Sequence, residues 1–262
     1  MELVRKTSKL LIDDGVAYII FNRPEIKNAL ALETNDEILE YLDLCEKDDG
    51  VRVVVFRGAG GTFSSGADVS SLKEQAGAGD LYGPTKESCA MSVRIRRLPK
   101  PVIAWVEGAV AGAGMGIMLA CDMAYADDNA KLIFAFVNMG LCPDTGCAKY
   151  ATERIGVARA TELFMTGRIV SGAEAAGMGL ITGSAPAEAL EEKVTKVIGR
   201  LKKGPTTAYG CMKQMMNQVV YSDLDGMCEV EGKLQQICGK THDNLECVSA
   251  FLEKRKPVCT GK

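Results

Sequence analysis

The sequence predicts an α/β fold closed by a helical C-terminal region, and three observations carry that prediction. Val51–Arg57 and Val102–Val106 have the unbroken apolar centres of strands buried on both faces. Segments with helical spacing lie between such strands, the arrangement of βαβ units and a largely parallel sheet. From about Ala187 onward no strand pattern survives, and the apolar residues recur at helical intervals. The expected organisation is a core of residues 1–200 followed by a helical module of residues 201–262.

In chain order, Leu10–Ile12 and Val16–Phe21 flank Asp13-Asp14-Gly15, a hairpin with an Asp-Gly turn. Thr34 or Asn35 is expected to cap a helix whose apolar face carries Ile38, Leu42 and Cys45. Gly58–Ser65 is a loop of glycine and small polar residues, and Gln75–Pro84 reads as a second, Gly- and Ala-rich loop. A helix over Glu87–Arg97, the strand Val102–Val106 and a helix over Gly112–Cys121 follow. Ser171-Gly-Ala-Glu174 has the capping-box pattern that opens a helix. The tail offers four helices, at Leu190–Leu201, Thr206–Val220, Leu224–Cys238 and Leu245–Lys254.

Composition narrows the function. A chain of 262 residues that is 47% apolar and 25% charged matches an ordinary globular protein. Its net charge of −3 gives no electrostatic case for nucleic acid or an anionic membrane as partner. Local basic clusters, Arg94 with Arg96 and Arg97 and Lys254–Lys256, remain as phosphate candidates. Ten cysteines show no CxxC pair and one histidine, His242, so no metal site is expected. Met1–Lys9 is too charged for an export signal, which favours reduced thiols in a cytoplasmic setting, although Cys142 and Cys147 flank Asp144 as oxidation candidates. Pro101–Ala120 approaches membrane-spanning length, but Glu107 and its glycines fit a strand, a turn and a closely packed helix better.

Two glycine-rich loops each follow a buried strand and precede a helix: Gly60–Val69 (GGTFSSGADV) and Glu107–Gly116 (EGAVAGAGMG). Loops of this kind expose backbone N–H groups, and two aimed at one carbonyl oxygen make an oxyanion hole. Neither is a phosphate loop, since GxxxxGK[ST] is absent, and neither has the glycine spacing of a dinucleotide site with its distant acid. Each loop alone reads as a tight turn.

Five motifs in order give the chain its resemblance. They are Asn22–Leu30 (NRPEIKNAL), Phe63–Val69 (FSSGADV), Gly108–Asp122 ending in Cys-Asp, Gly140–Gly146 (GLCPDTG) and Phe251–Pro257 (FLEKRKP). Together they resemble the crotonase (enoyl-CoA hydratase/isomerase) superfamily over almost the whole chain. The resemblance implies a spiral of ββα units, two sheets, and a trimer or dimer of trimers built through the C-terminal helices. The apolar tail helices, with Met212, Met215, Met216, Val219 and Val220, carry more apolar surface than one small module hides, which agrees with assembly. It implies further that the N–H groups of Ala67 and Ala113 hold a thioester oxyanion. Ser65, Ala67, Asp68 and Val69, with Lys27 and Ala29, would line the groove for coenzyme A. Phe251 and Lys254 would close its nucleotide end, from this chain or a neighbouring subunit. Coenzyme A enters as part of the substrate, and no separate cofactor is implied.

The carboxylates decide the expected reaction. In hydratases of this superfamily two glutamates act, and ungapped alignment on Cys121-Asp122 and Gly140 puts those positions at Gly116 and Phe136. Both acids are missing, which argues against hydration, since that reaction needs one group to activate water and another to protonate carbon. Asp144 remains, and by the resemblance its position matches the acid of several isomerase branches, including 1,2-epoxyphenylacetyl-CoA isomerases and some Δ3,Δ2-enoyl-CoA isomerases. One carboxylate suffices for a 1,3-proton shift, and Phe136 becomes an apolar wall of the pocket. The bland reading of Asp144 is a cap for a helix at Ala148–Ile155. Glu107 reads as structural and His242 as surface. The expected activity is therefore double-bond isomerisation of an acyl-CoA, with ring isomerisation or hydration behind it and a non-catalytic acyl-CoA-binding homologue as the alternative of another class.

Overall fold

The computed structural model describes residues 1–71 and 80–262. Ten strands are formed among these: β1 (Glu2–Val4), β2 (Ser8–Asp13), β3 (Val16–Phe21), β4 (Val53–Gly58), β5 (Val102–Val106), β6 (Ala109–Ala111), β7 (Met123–Asp127), β8 (Lys131–Ile133), β9 (Ile169–Ser171) and β10 (Gly183–Ala185). A seven-stranded sheet runs β1-β2-β3-β4-β5-β7-β10, antiparallel at β1–β2–β3 and parallel from β3 on. A second sheet of three strands runs β6-β8-β9.

The helices are α1 (Leu32–Lys47), α2 (Tyr82–Arg97), α3 (Ala113–Ala120), α4 (Cys147–Ile155), α5 (Val157–Thr166), α6 (Gly172–Gly177), α7 (Ala187–Lys202), α8 (Thr206–Val219), α9 (Leu224–Cys238) and α10 (His242–Leu252). The alternation of β4 explains its unbroken valine run. Val54 and Phe56 join the main core with Ile38, Leu42 and the apolar face of α2 and α3. Val53 and Val55 face the other way, onto Leu190, Val194 and Ile198 of α7. Each large apolar side chain buried this way contributes roughly 1.5–3 kcal/mol.

The hairpin forms as expected, with Asp14 and Gly15 both at positive φ in its turn. The cap of α1 differs from expectation. The helix starts at Leu32, and Thr34 already lies inside it, its hydroxyl accepting the N–H of Ala31 (3.0 Å). Helix-favouring residues upstream of Thr34 extend the first turn by two positions. Of the Gln75–Pro84 loop, 75–79 lie outside the described residues, and Tyr82 opens α2. Ser171 caps α6 by accepting the Glu174 N–H (3.1 Å). The apolar stretch at 101–120 resolves into β5, β6 and α3, and among the described residues no helix is long and apolar enough to cross a membrane.

The C-terminal helices lie against the core. On α8, buried Lys213 pairs with Asp122 (2.9 Å), which also holds Arg96 (3.0 Å). Arg94 pairs with Asp43 and Arg97 with Asp225, so this basic cluster is neutralised by carboxylates instead of presented to a phosphate. Helix α9 packs along α2, which brings its buried face toward the loop that precedes α4.

Candidate active site

The first glycine loop is braced from inside the protein. Asn28, buried and in the left-handed region, donates through Nδ2 to the carbonyls of Ala59 (2.8 Å) and Thr62 (2.6 Å). Its own carbonyl accepts from the Ser64 hydroxyl (2.9 Å), and Ser64 Oγ accepts the Gly66 N–H (3.1 Å). The second loop lies beside the first through Ser64 N–H to Ala109 (3.2 Å) and Ala111 N–H to Ser64 (2.9 Å). At Gly66, φ is +91°, and a Cβ would stand 2.8 Å from the Ala111 carbonyl oxygen, so only glycine permits this approach. Gly112 turns at φ +50° just before α3. Each left-handed glycine thus precedes one of the expected donors, Ala67 and Ala113. Neither of those N–H groups meets an acceptor among the described residues, and Ala113 stands at the positive end of α3.

Asp144 reaches the same place from the loop before α4. Gly116 on α3 makes room for it: a Cβ there would lie 2.4 Å from the Thr145 carbonyl oxygen and 2.6 Å from the Thr145 Cβ. A side chain at the first hydratase acid position is therefore excluded by the backbone of the Asp144 loop. Thr145 is fully buried at φ +55°, a strained conformation for a β-branched residue. Asp144 Oδ1 accepts from the Thr145 hydroxyl (2.8 Å) and Oδ2 from Gln235 Nε2 (2.7 Å). Burial pushes the Asp144 carboxyl up, and the hydrogen bonds from Gln235 and Thr145 oppose that rise. Asp144 does not cap α4: Gly146 is the N-cap, without a side-chain bond. The N–H of Gly146 instead meets the buried Glu231 carboxylate at 3.0 and 3.1 Å. Burial, and then the nearby Asp144, push Glu231 up to about 8.

A cavity of about 390 Å³ is lined by Ser65, Ala67, Val69, Ala113, Phe136 and Asp144, and by Phe251 of α10. Within that lining Asp144 is the single acid. A narrower cleft adjoins it, shared by Ala67, Ala113, Asp144, Gln235 and Asp68. The Asp68 carboxylate is engaged by Ser70 (2.5 Å) and Arg23 (3.1 Å). Lys27, Ala29 and Lys254 do not line either space. The contribution of Lys27 is its carbonyl, which accepts the Ser65 N–H (2.9 Å), while its side chain and that of Lys254 are exposed. Glu107 pairs with Arg57 (3.1 Å), and His242 lies on the surface. Burial raises the Cys147 thiol well above its ordinary value, which makes it a poor nucleophile.

Glu231 and Gln235 were not foreseen as site residues. They stand one turn apart on α9, on the buried face with Leu224 and Cys228. Two polar side chains at i, i+4 within an apolar stripe are the signal the sequence offered.

The sequence profile of the enoyl-CoA hydratase/isomerase family matches residues 12–262. The chain belongs to that family. The chain is similar to the trans-2-decenoyl-[acyl-carrier-protein] isomerase of Streptococcus mutans, 36% identical over 96% of this chain and 97% of that protein. It is similar also to the 1,2-epoxyphenylacetyl-CoA isomerase of Escherichia coli, 34% identical over 96% and 97%. Among solved structures, an enoyl-CoA hydratase from Mycobacterium avium subsp. paratuberculosis superposes with a TM-score of 0.89 at 32% identity, over 97% of this chain and 99% of that one. The fold is the crotonase fold, and the family is one of hydratases and isomerases acting on thioesters.

Proposed function

We propose that this protein is an acyl-CoA isomerase of the Δ3,Δ2-enoyl-CoA type, working through an enolate with Asp144 as its one proton carrier. The observation that supports this most is the cavity itself: one carboxylate and the two loop alanines share its wall, while the hydratase acid positions hold Gly116 and Phe136. In this reading the thioester carbonyl accepts from the N–H groups of Ala67 and Ala113, which lowers the cost of the enolate oxyanion. Asp144 removes a proton at C2, the charge delocalises into the dienolate, and the same carboxyl returns the proton at C4. With apolar Phe136 and Met139 lining the space, a water nucleophile has no second carboxylate to activate it. Coenzyme A is part of the substrate, and the oxyanion is held by backbone dipoles without a metal. The likeness to the 1,2-epoxyphenylacetyl-CoA isomerase supports a second reading, in which the same base acts on an oxidised aromatic ring.

The test is Asp144→Asn assayed with 3-enoyl-CoA and 2-enoyl-CoA, following isomerisation and hydration separately. Isomerisation should fall about 10²–10⁴-fold with acyl-CoA affinity retained, the range for loss of a general base. Robust hydration by the unaltered protein, or full isomerisation by the variant, would refute the assignment.

A further inference from the structure

We propose that Gln235 is a positioning residue, which orients the Asp144 carboxylate and keeps a proton donor on its Oδ2. The inference rests on the reading of Asp144 as the proton carrier. The orientation of the Gln235 amide is forced by its surroundings. Its Oε1 accepts from the backbone N–H of Cys142 (3.2 Å) and from the Cys142 thiol (3.4 Å). A backbone N–H only donates, so the oxygen end must face Cys142 and the Nε2 end must face Asp144. A flipped amide would set oxygen against the carboxylate and N–H against N–H. Gln235 is 1% exposed, so water has no room to substitute for it.

One side chain therefore grips the Asp144 loop at two points, Cys142 and Asp144, while Glu231 grips it at Gly146. These contacts hold the strained Thr145 between them and set where the carboxylate points. Gln235 also stabilises the charged form of Asp144, because a donor bonded to a carboxylate favours ionisation. The titratable and charged groups around Asp144 are Glu231 from α9, Cys142 and Cys147 from its own segment, Asp68 across the narrower cleft and Arg255 on the cavity wall. The substitutions at Gln235 leave all five in the chain.

The experiment compares the full-length protein with Gln235→Leu, Gln235→Glu and Asp144→Asn, using 3-enoyl-CoA turnover across pH and circular dichroism to check folding. Gln235→Leu should lower kcat about ten- to a hundredfold, the effect of one hydrogen bond to a charged group. KM should stay within about threefold, since the bond does not touch the thioester. The acid limb of the kcat profile should move up by about one pH unit. In Gln235→Glu the Cys142 N–H keeps its acceptor, but a second carboxyl meets Oδ2, so the two share a proton and the limb should move further up. A folded Gln235→Leu protein with unchanged kcat, or with reduced kcat and an unmoved acid limb, overturns this inference and leaves Asp144 as the base. Full activity in Asp144→Asn overturns the base assignment itself. Should Gln235→Leu not fold, the near-isosteric glutamate variant decides by the same limb.

Discussion

Asp144 and Glu231 approach one turn of chain from two sides, yet they are different kinds of acid. Asp144 opens on the cavity and holds two donors, whereas Glu231 is 5% exposed and accepts one backbone N–H. Glu231 has a pH signature that follows from burial. Its carboxyl rises from an ordinary 4.5 to about 8 on folding. Between those values the folded chain holds a proton that the unfolded chain has released, so the contribution of Glu231 to stability is full below pH 4.5 and is lost as pH climbs through 8. Glu231→Gln removes this titration while keeping an acceptor for Gly146. The melting temperature of the parent should fall between pH 5 and 8, and the variant should flatten that slope and be more stable at pH 8, by a few kcal/mol at most. Equal slopes in calorimetry would show that Glu231 does not titrate there. Asp144 was legible in sequence because its motif and the missing glutamates isolate it. Glu231 and Gln235 were not, since their partners are 85 and 91 positions away.

At the scale of elements, the two glycine loops and α3 form one device. Sequence spacing placed both loops between a strand and a helix, and the turn at Gly112 and the close approach at Gly66 take the glycines found there. What spacing did not show is why position 116 lacks a side chain. The Asp144 loop occupies that volume, which leaves no room for a side chain on α3 at this position. Gly116→Ala should displace Thr145 and Asp144 together. An overpacking cost of about 1–3 kcal/mol predicts a melting temperature lower by roughly 2–12 °C in a chain of this size. Isomerase activity should drop with it. Differential scanning calorimetry with the 3-enoyl-CoA assay checks both, and an alanine variant with parental stability would mean that the loop yields freely.

Over the whole molecule, the C-terminal helices do two things at once. Their inner faces brace the site through Gln235 and Glu231 and anchor to Asp122 through Lys213. Their outer faces stay apolar: Met212, Met215, Met216 and Val219 on α8 and Val230, Leu234 and Ile237 on α9 are exposed in the single chain. Apolar surface on this scale marks an interface, and we propose that it is covered by copies of this chain in a trimer or a dimer of trimers. Light scattering at micromolar concentration should report three or six times the 28.0 kDa mass. Val219→Asp, which puts a charge on the patch, should shift that mass downward. A monomeric parent would refute the assembly.

The sequence by itself determined the α/β class, the hairpin, the buried strands, the helical tail and the paired glycine loops, and it singled out Asp144 as the candidate acid. Each is written in local periodicity, turn residues or contiguous motifs, which a linear reading reaches. The tertiary structure decided which residues meet. It set Gly116 against Thr145, put Gly146 and not Asp144 at the cap of α4, placed the Asp144 carboxylate on the wall of a cavity, and left the side chains of Lys27 and Lys254 outside it. It also brought α9 across the chain to hold the Asp144 loop. Such pairings depend on how helices dock over the sheet, and docking is governed by buried shape and by polar groups seeking partners far along the chain.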